Sequence, residues 1–272
     1  VTSQERVLVE ISAGVADVRL NRPDKLNALD AAMFEAIGDT IDALGKDTSV
    51  RAVVLSGEGR AFCAGLDMAS LAAMAGADRA STAGLAERKP GEIANRAQLV
   101  AYGWSLLAVP VIAAVHGVAL GGGAQIALGA DIRLMAPDAK ISIFEISWGL
   151  VPDMSATVTL PKLVGADVAK ELAWTARMVT GEEASRIGLA TRCCEDPHGE
   201  ALRLAADIAS RNPDAVRAAK RLFSPAQNAT VADLLAAESA EMAALIGSTN
   251  QAEAVRARLE GRQPVFVDPD LG

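Results

Sequence analysis

Two glycine-rich segments carry the clearest chemical signal in this chain: Phe62-Cys63-Ala64-Gly65-Leu66-Asp67 and Gly117-Val118-Ala119-Leu120-Gly121-Gly122-Gly123. Each stands where an apolar, strand-like run gives way to something else. Consecutive glycines remove the Cβ atoms that hold a ligand away from the backbone. At a helix start the first N–H groups lack intrahelical partners and are free to meet an oxygen carrying negative charge. One donor from each segment would make a two-donor oxyanion hole, each donor worth about 2.7–4 kcal/mol of transition-state stabilisation. Close helix–strand packing also demands small residues, so the glycines by themselves leave both readings open.

Other chemistries fail specific tests. There is no Gly-Lys-Ser/Thr for a P-loop, and the spacing of Gly117, Gly121, Gly122 and Gly123 does not fit a dinucleotide-binding turn. No Gly-x-Ser-x-Gly elbow exists, and a Ser-His-Asp triad would have to use His116 or His198. His116 lies in an apolar run and reads as structural; His198 reads as a solvated residue in a polar turn. Cys193 and Cys194 have no zinc-site spacing, and no metal is expected. Glu145 is different, because Phe144, Ile146 and Trp148 surround it, and a carboxylate inside an apolar run is costly unless it has a task.

The elements that must position these residues follow from periodicity. Val7, Val9 and Ile11, then Ala16, Val18 and Leu20 after Ser12-Ala13-Gly14, predict strand, turn, strand, stopped by Pro23. Met33, Ile37, Ile41 and Leu44 share a helical face with Asp30 placed as its cap. Arg51–Leu55, Val109–Val115, Ile132–Met135 and Ile141–Phe144 read as strands, and Ala124–Ala130 as a helix opened by the glycine triplet. Residues 69–98, rich in Ala, Gly and charge, read as a mobile loop with short helices. From Pro197 onward only helical spacing remains, over Ala201–Ser210, Pro213–Phe223 and Val231–Leu259. Strands alternating with helices before a helical tail argue for an α/β fold.

Composition narrows the function. The 272 residues, 51% hydrophobic and 22% charged, can bury a core without disulfide or metal staples. Aromatics are only 3%, so aliphatic side chains must build it. With 26 Lys+Arg against 34 Asp+Glu the net charge is −8, a poor basis for nucleic-acid binding. Three cysteines do not make a disulfide framework and fit a reducing compartment. The longest apolar stretch, Leu106–Leu120, is interrupted by Pro110, His116 and Gly117 and is too short to span a bilayer. The start, Val1–Glu10, has no signal-type apolar run. A soluble, cytoplasmic protein with neither membrane nor nucleic-acid partner is expected.

Four ordered motifs then resemble the crotonase (enoyl-CoA hydratase/isomerase) superfamily. They are Asn21-Arg22-Pro23-Asp24-Lys25-Leu26-Asn27-Ala28-Leu29, Gly57 through Asp67, Pro110 through Gly123, and Trp148-Gly149-Leu150-Val151-Pro152-Asp153. The stretch Leu163–Leu189 continues the likeness, which covers most of residues 5–267. The resemblance implies a spiral of ββα units with a C-terminal helical trimerisation region, divided as an acyl-CoA-binding core over 1–198 and a helical region over 199–272. It implies homotrimers that pair into hexamers, and a coenzyme A thioester as substrate with no separate cofactor. The backbone N–H groups of Leu66 and Gly122 would hold the thioester oxygen. Lys25, Leu26, Ala28, Ala64 and Asp67 would contact coenzyme A, with Lys25 directed at its phosphates.

The carboxylates choose among the family's reactions. Hydratases of this kind use two glutamates, one to activate water at C3 and one to handle the proton at C2. Here Gln125 stands at the first position and Glu145 at the second. An amide orients water but cannot accept its proton, whereas one carboxylate suffices to move a double bond. Isomerisation is therefore favoured over hydration. Asp153 matches an aspartate found in dienoyl-CoA isomerases, hydroxyacyl-CoA hydrolases and dehalogenases of the family, and a plain turn residue fits it as well. Met154-Ser155-Ala156-Thr157 replaces a glycine pair common there. A non-catalytic coenzyme A-binding member of the family is the competing class.

Overall fold

The alternating N-terminal runs form a hairpin: β1 (Val7–Ser12) pairs antiparallel with β2 (Val15–Leu20). The two-residue turn between them, Ala13-Gly14, has φ of 49° and 79°, the handedness that suits twisted strands. The structure is a computed structural model and describes residues 5–76, 88, 91–224 and 229–269. Asp30 caps α1 (Ala31–Lys46) by accepting from Met33 N at 2.8 Å, and Met33, Ile37 and Leu44 of that helix are buried.

From β2 the sheet grows in chain order. β3 (Ala52–Gly57), β4 (Val111–Val115), β6 (Ile132–Met135) and β9 (Arg192–Cys193) add one after another in parallel, giving β1-β2-β3-β4-β6-β9. A second sheet holds β5 (Val118–Leu120), β7 (Lys140–Ser142) and β8 (Val179–Thr180). Successive units send one strand to each sheet: β4 then β5, followed by α4 (Gly122–Leu128); β6 then β7. The chain therefore winds as a spiral of ββα turns.

The inner strands of the larger sheet are buried on both faces, while the edge strand β1 is largely exposed. Val53, Leu55, Val111, Ala113 and Val115 face the main core, with Ile37 of α1 and the fully buried Trp104 of α3 (Arg96–Leu106). Ala52, Val54, Ile112, Ala114 and Leu134 face the other way, onto Ala201, Ala205 and Ala209 of α8 (Pro197–Ala209). Two covered faces explain why these strands read as unbroken apolar runs rather than as alternations.

Several expectations need correction. α3 escaped the sequence reading because Gly103 interrupts its apolar face; a Cβ there would lie 3.1 Å from Ile41 Cδ1, so the glycine serves α1–α3 packing. Of the expected loop 69–98, residues 69–75 belong to α2 (Met68–Ala75) and 96–98 open α3, while 77–87, 89 and 90 lie outside the described residues. The strand expected from Val109 begins at Val111, whose N–H is drawn to Asp131 Oδ2 at 2.8 Å. The strand expected over Ile141–Phe144 ends at Ser142, where the chain turns into a 3-10 helix, Glu145–Trp148. Between them and α8 lie α5 (Ala156–Val164), α6 (Ala166–Thr175) and α7 (Gly181–Arg186), none of which was expected.

After α9 (Pro213–Phe223), the expected run Val231–Leu259 is two helices, α10 (Val231–Leu245) and α11 (Thr249–Glu260). Gly247, at φ 79°, breaks them, and Ser248 caps the second. His198 is not a solvated turn residue: it lies in the first turn of α8, with Nε2 3.0 Å from Asp17 Oδ1. Among the described residues no helix is long and apolar enough to cross a membrane.

Asn27 joins two loops on which the site depends. It is fully buried at φ 56°; its Oδ1 accepts from Arg22 N at 2.8 Å, and its Nδ2 faces the carbonyls of Glu58 (2.9 Å), Ala61 (2.8 Å) and Phe62 (3.2 Å). Asn27→Ala would strand those carbonyls in a dry interior. Chemical denaturation should show a loss of at least about 2 kcal/mol; a loss below about 1 kcal/mol would show that the loops hold without it.

Candidate active site

The site begins where two strand ends run side by side. Cys63 N donates to Val118 O and Leu120 N to Cys63 O, each at 3.0 Å. Gly65 then adopts φ 85°, and a Cβ on it would sit 2.5 Å from Leu120 O. A Cβ on Gly123 would collide with Cys63 O, and one on Gly117 with Arg60 O. These glycines are thus required for backbone packing, the plainer of the two readings.

That packing also produces the donors. The Cβ position of Gly65 is 3.7 Å from Gly122 N, so the two segments meet at the residues expected to supply N–H groups. Leu29 N donates to Gly65 O at 2.8 Å and Asp67 N to Leu29 O at 3.0 Å, a bridge that uses the Gly65 carbonyl and the Asp67 N–H but not the Leu66 N–H between them. Gly122 is the first residue of α4, before the first intrahelical bond. Two amides in this relation can bind one developing oxyanion.

Gln125, Glu145 and Asp153 come together beside them. Gln125 projects from the first turn of α4 and is fully buried. Its Oε1 accepts from Met154 N at 2.9 Å and Ala156 N at 3.0 Å, which fixes the amide so that Nε2 donates to Glu145 Oε1 at 2.6 Å. Glu145, 8% exposed, has its other oxygen buried with no partner. A Cβ on Gly121 would lie 3.3 Å from Glu145 Oε1, so the carboxyl sits against the residue preceding Gly122.

Burial raises the Glu145 pKa above its ordinary 4.5; the Asp153 charge pushes the same way and the Gln125 hydrogen bond opposes both. Asp153 is exposed at the rim, yet the protein atoms crowding its carboxyl raise its pKa as well. Met154 covers the site from one side, its Sδ 2.9 Å from where a Gly122 Cβ would be. Ile146, Trp148, Leu150 and Val151 stay exposed next to Glu145 and Asp153, an apolar lip at the mouth.

The residues expected at the coenzyme A end lie on the turn that precedes Leu29 and on the segment from Ala64 to Asp67, which a hydrogen bond from Ala64 N to Leu26 O joins. Lys25 is exposed in a 3-10 turn, Pro23–Lys25, and Leu26 follows at φ 51°. Ala28 is buried, and Ala64, partly exposed, donates its N–H to Leu26 O at 2.9 Å. Asp67 is engaged inside the protein: its carboxylate accepts from Arg22 at 2.7 Å and from Ala69 N at 2.8 Å, and the Arg22 hydrogen bond holds its pKa low. Sequence reasoning missed Arg22, although it lies within the first motif, and missed the grip of Gln125 on residues 154 and 156, for which no local signal exists.

Comparison with known proteins agrees with this geometry. The sequence profile described as enoyl-CoA hydratase/isomerase matches residues 10–269. The short-chain-enoyl-CoA hydratase of Clostridium acetobutylicum is 34% identical over 260 residues, covering 94% of this chain and 95% of that protein. The human mitochondrial Delta(3,5)-Delta(2,4)-dienoyl-CoA isomerase is 31% identical over 253 residues, covering 92% of this chain and 77% of that protein. The crystal structure of an enoyl-CoA hydratase from Bacillus anthracis superposes with a TM-score of 0.86 at 29% identity, covering 96% of this chain and 98% of that one. The profile, the relatives and the shared architecture together make this chain an enzyme of the enoyl-CoA hydratase/isomerase family, within the crotonase superfamily.

Proposed function

We propose that this family member shifts a double bond in an enoyl-CoA thioester, with Glu145 as the single proton carrier and no cofactor beyond the coenzyme A of the substrate. The observation that carries the reading is the state of Gln125. Its oxygen is already saturated by two backbone N–H groups and its nitrogen is held on Glu145, so no second general base stands at that position. Glu145 takes the proton from C2. The negative charge moves onto the thioester oxygen, which accepts from Leu66 N–H and Gly122 N–H. The same carboxyl then returns the proton at C4. A raised pKa makes Glu145 a stronger base than a solvated glutamate, suited to a carbon acid activated in this way.

Lys25, Leu26, Ala28 and Ala64 are the residues we place along coenzyme A, with Asp67 contributing through Arg22 and the start of α2 rather than by direct contact. Hydration is the second reading, favoured by the names of several relatives; it would require Gln125 only to orient water while Glu145 does the proton work. Asp153, at the rim, is the fallback for the base.

The chain should convert a 3-enoyl-CoA to the 2-enoyl isomer faster than it hydrates a 2-enoyl-CoA, as read by chromatography of the products. Faster hydration would overturn the preference. Gln125→Glu, which presses a second carboxyl against Glu145, should raise the ratio of hydration to isomerisation.

Glu145→Gln should lower turnover by roughly a hundred- to ten-thousand-fold, while unchanged activity would pass the base role to Asp153. Because the folded-state pKa is raised, the native protein binds more protons than the unfolded chain above pH 4.5, so this group makes stability fall as pH rises. At neutral pH the Gln variant should melt at or above the wild-type temperature. The acid limb of wild-type activity should lie above the ordinary glutamate value, since the ionised form is the base.

We also infer that the protein is a trimer or a pair of trimers. α10 has no buried residue, and Val231, Leu235, Met242 and Ile246 leave an apolar surface with no cover in the single chain. Light scattering at micromolar concentration should give three or six times 28.1 kDa; a monomer mass would contradict it.

A further inference from the structure

The Leu66 N–H takes its direction from its neighbours. It shares one planar trans peptide with the Gly65 carbonyl, and the two groups point opposite ways. That carbonyl accepts from Leu29 N at 2.8 Å, and Asp67 N donates back to Leu29 O at 3.0 Å. The Leu66 N–H therefore faces away from Leu29, and among the described residues no backbone carbonyl accepts it. The bridge that sets this direction is isolated: Leu29 and Leu66 pair outside any strand, so no ladder on either side supports them.

Arg22 supplies the missing support. Its Nη1 donates to Ala28 O at 3.1 Å and to Asp67 Oδ2 at 2.7 Å, so one nitrogen spans the residue before Leu29 and the residue after Leu66. Its Nε lies 3.6 Å from Asp30 Oδ2. Both carboxylates are helix caps: Asp30 accepts from Met33 N in α1 and Asp67 from Ala69 N in α2, each at 2.8 Å. One guanidinium thus joins the two helix starts into which Leu29 and Leu66 lead. Arg22 is itself fixed at its backbone, where its N–H donates to Asn27 Oδ1 at 2.8 Å and its carbonyl accepts from Asn27 N at 2.9 Å. The side chains of Arg22 and Asp67 are both largely out of solvent, where a charge-assisted hydrogen bond holds its geometry.

We propose that Arg22 is a positioning residue for the oxyanion hole: by clamping Asp67 to Ala28 it sets the direction of the Leu66 N–H, and so governs the chemical step rather than the binding of coenzyme A. The inference rests on the reading of Leu66 N–H as a donor to the thioester oxygen. The effect of Arg22 passes through Asp67, the next residue along the chain from that donor. A donor turned away from the oxygen loses its value for the charge that develops there, while contacts elsewhere along the substrate are kept.

The test compares the wild type with Arg22→Met, Asp67→Asn and the double variant. Asparagine still caps α2 while giving up the charge, so it reads the pair even if Arg22→Met fails to fold. The measurements are kcat and KM for the 3-enoyl-CoA to 2-enoyl-CoA shift, calorimetric affinity for free coenzyme A, and the infrared carbonyl frequency of bound butyryl-CoA isotope-labelled at the thioester carbonyl. The wild type should pull that frequency below its value in water. Each single variant should return it toward water and lower kcat by roughly tenfold to a hundredfold. KM and coenzyme A affinity should stay within about threefold. The double variant should lose no more than the worse single one, because the two residues act as a unit.

A wild-type carbonyl frequency in both single variants overturns the proposal and makes the pair a structural tie, whatever happens to kcat. Additive losses in the double variant overturn it too, as does a loss confined to coenzyme A affinity, which would make Arg22 a contact to the coenzyme. A wild type that binds butyryl-CoA without lowering the frequency overturns the oxyanion reading of Leu66 and Gly122, and this proposal with it.

Discussion

Where the chain after Cys63 runs beside β5, main chain meets main chain with no side chain between. Gly65 abuts Leu120 O, Gly123 abuts Cys63 O, and Gly117 abuts Arg60 O. A methyl group at any of these points would push the strands apart. The two free amides exist only because the strands do not separate, since Leu66 N–H and Gly122 N–H belong to residues adjoining those contacts. Asn27 holds the neighbouring loop closed from below, and the two covered faces of the large sheet leave the strand ends nowhere else to go. A chemical property, the pairing of two donors, thus follows from a steric one.

Against this rigid pair the fold sets a group that burial opposes. Glu145 keeps one oxygen on Gln125 and leaves the other dry and unpartnered, and its raised pKa expresses the cost of ionising it there. An amide at position 125 meets both demands of its surroundings. Its oxygen satisfies two amides of the loop entering α5, and its nitrogen donates to a carboxylate that a second acid would repel. Position 125 therefore has a structural function as well as a chemical one, and a change there acts on residues 154–156 and on Glu145 together.

Most of this frame was legible in the chain itself. Buried strands announce themselves as apolar runs, as Val53–Leu55 and Val111–Val115 do, and Asp30 signals α1 because capping is local. The glycine segments were legible as places of close approach, while the residues alone could not separate packing from ligand binding; the structure shows the packing. Legibility ended where contacts are distant in sequence and written in no pattern. Gln125 binding residues 154 and 156, and Arg22 drawing Asp67 inward, leave no periodic trace. α3 was missed because Gly103 breaks its apolar face for the sake of Ile41, and His198 because its partner, Asp17, is 181 residues away.

The strand order of the large sheet has a consequence for how such a chain comes into being. In β1-β2-β3-β4-β6-β9 every new strand is laid beside one made earlier, never inserted between two already paired. A polypeptide emerging from the ribosome can therefore build this sheet from one edge to the other, each strand docking as it appears. On that timetable the segments carrying the Leu66 and Gly122 amides meet once α4 has emerged, and the Glu145 segment is laid against them later. The residues that fix Gln125 against the carboxylate, Met154 and Ala156, come later still, so the site is completed only when the loop entering α5 closes over Glu145.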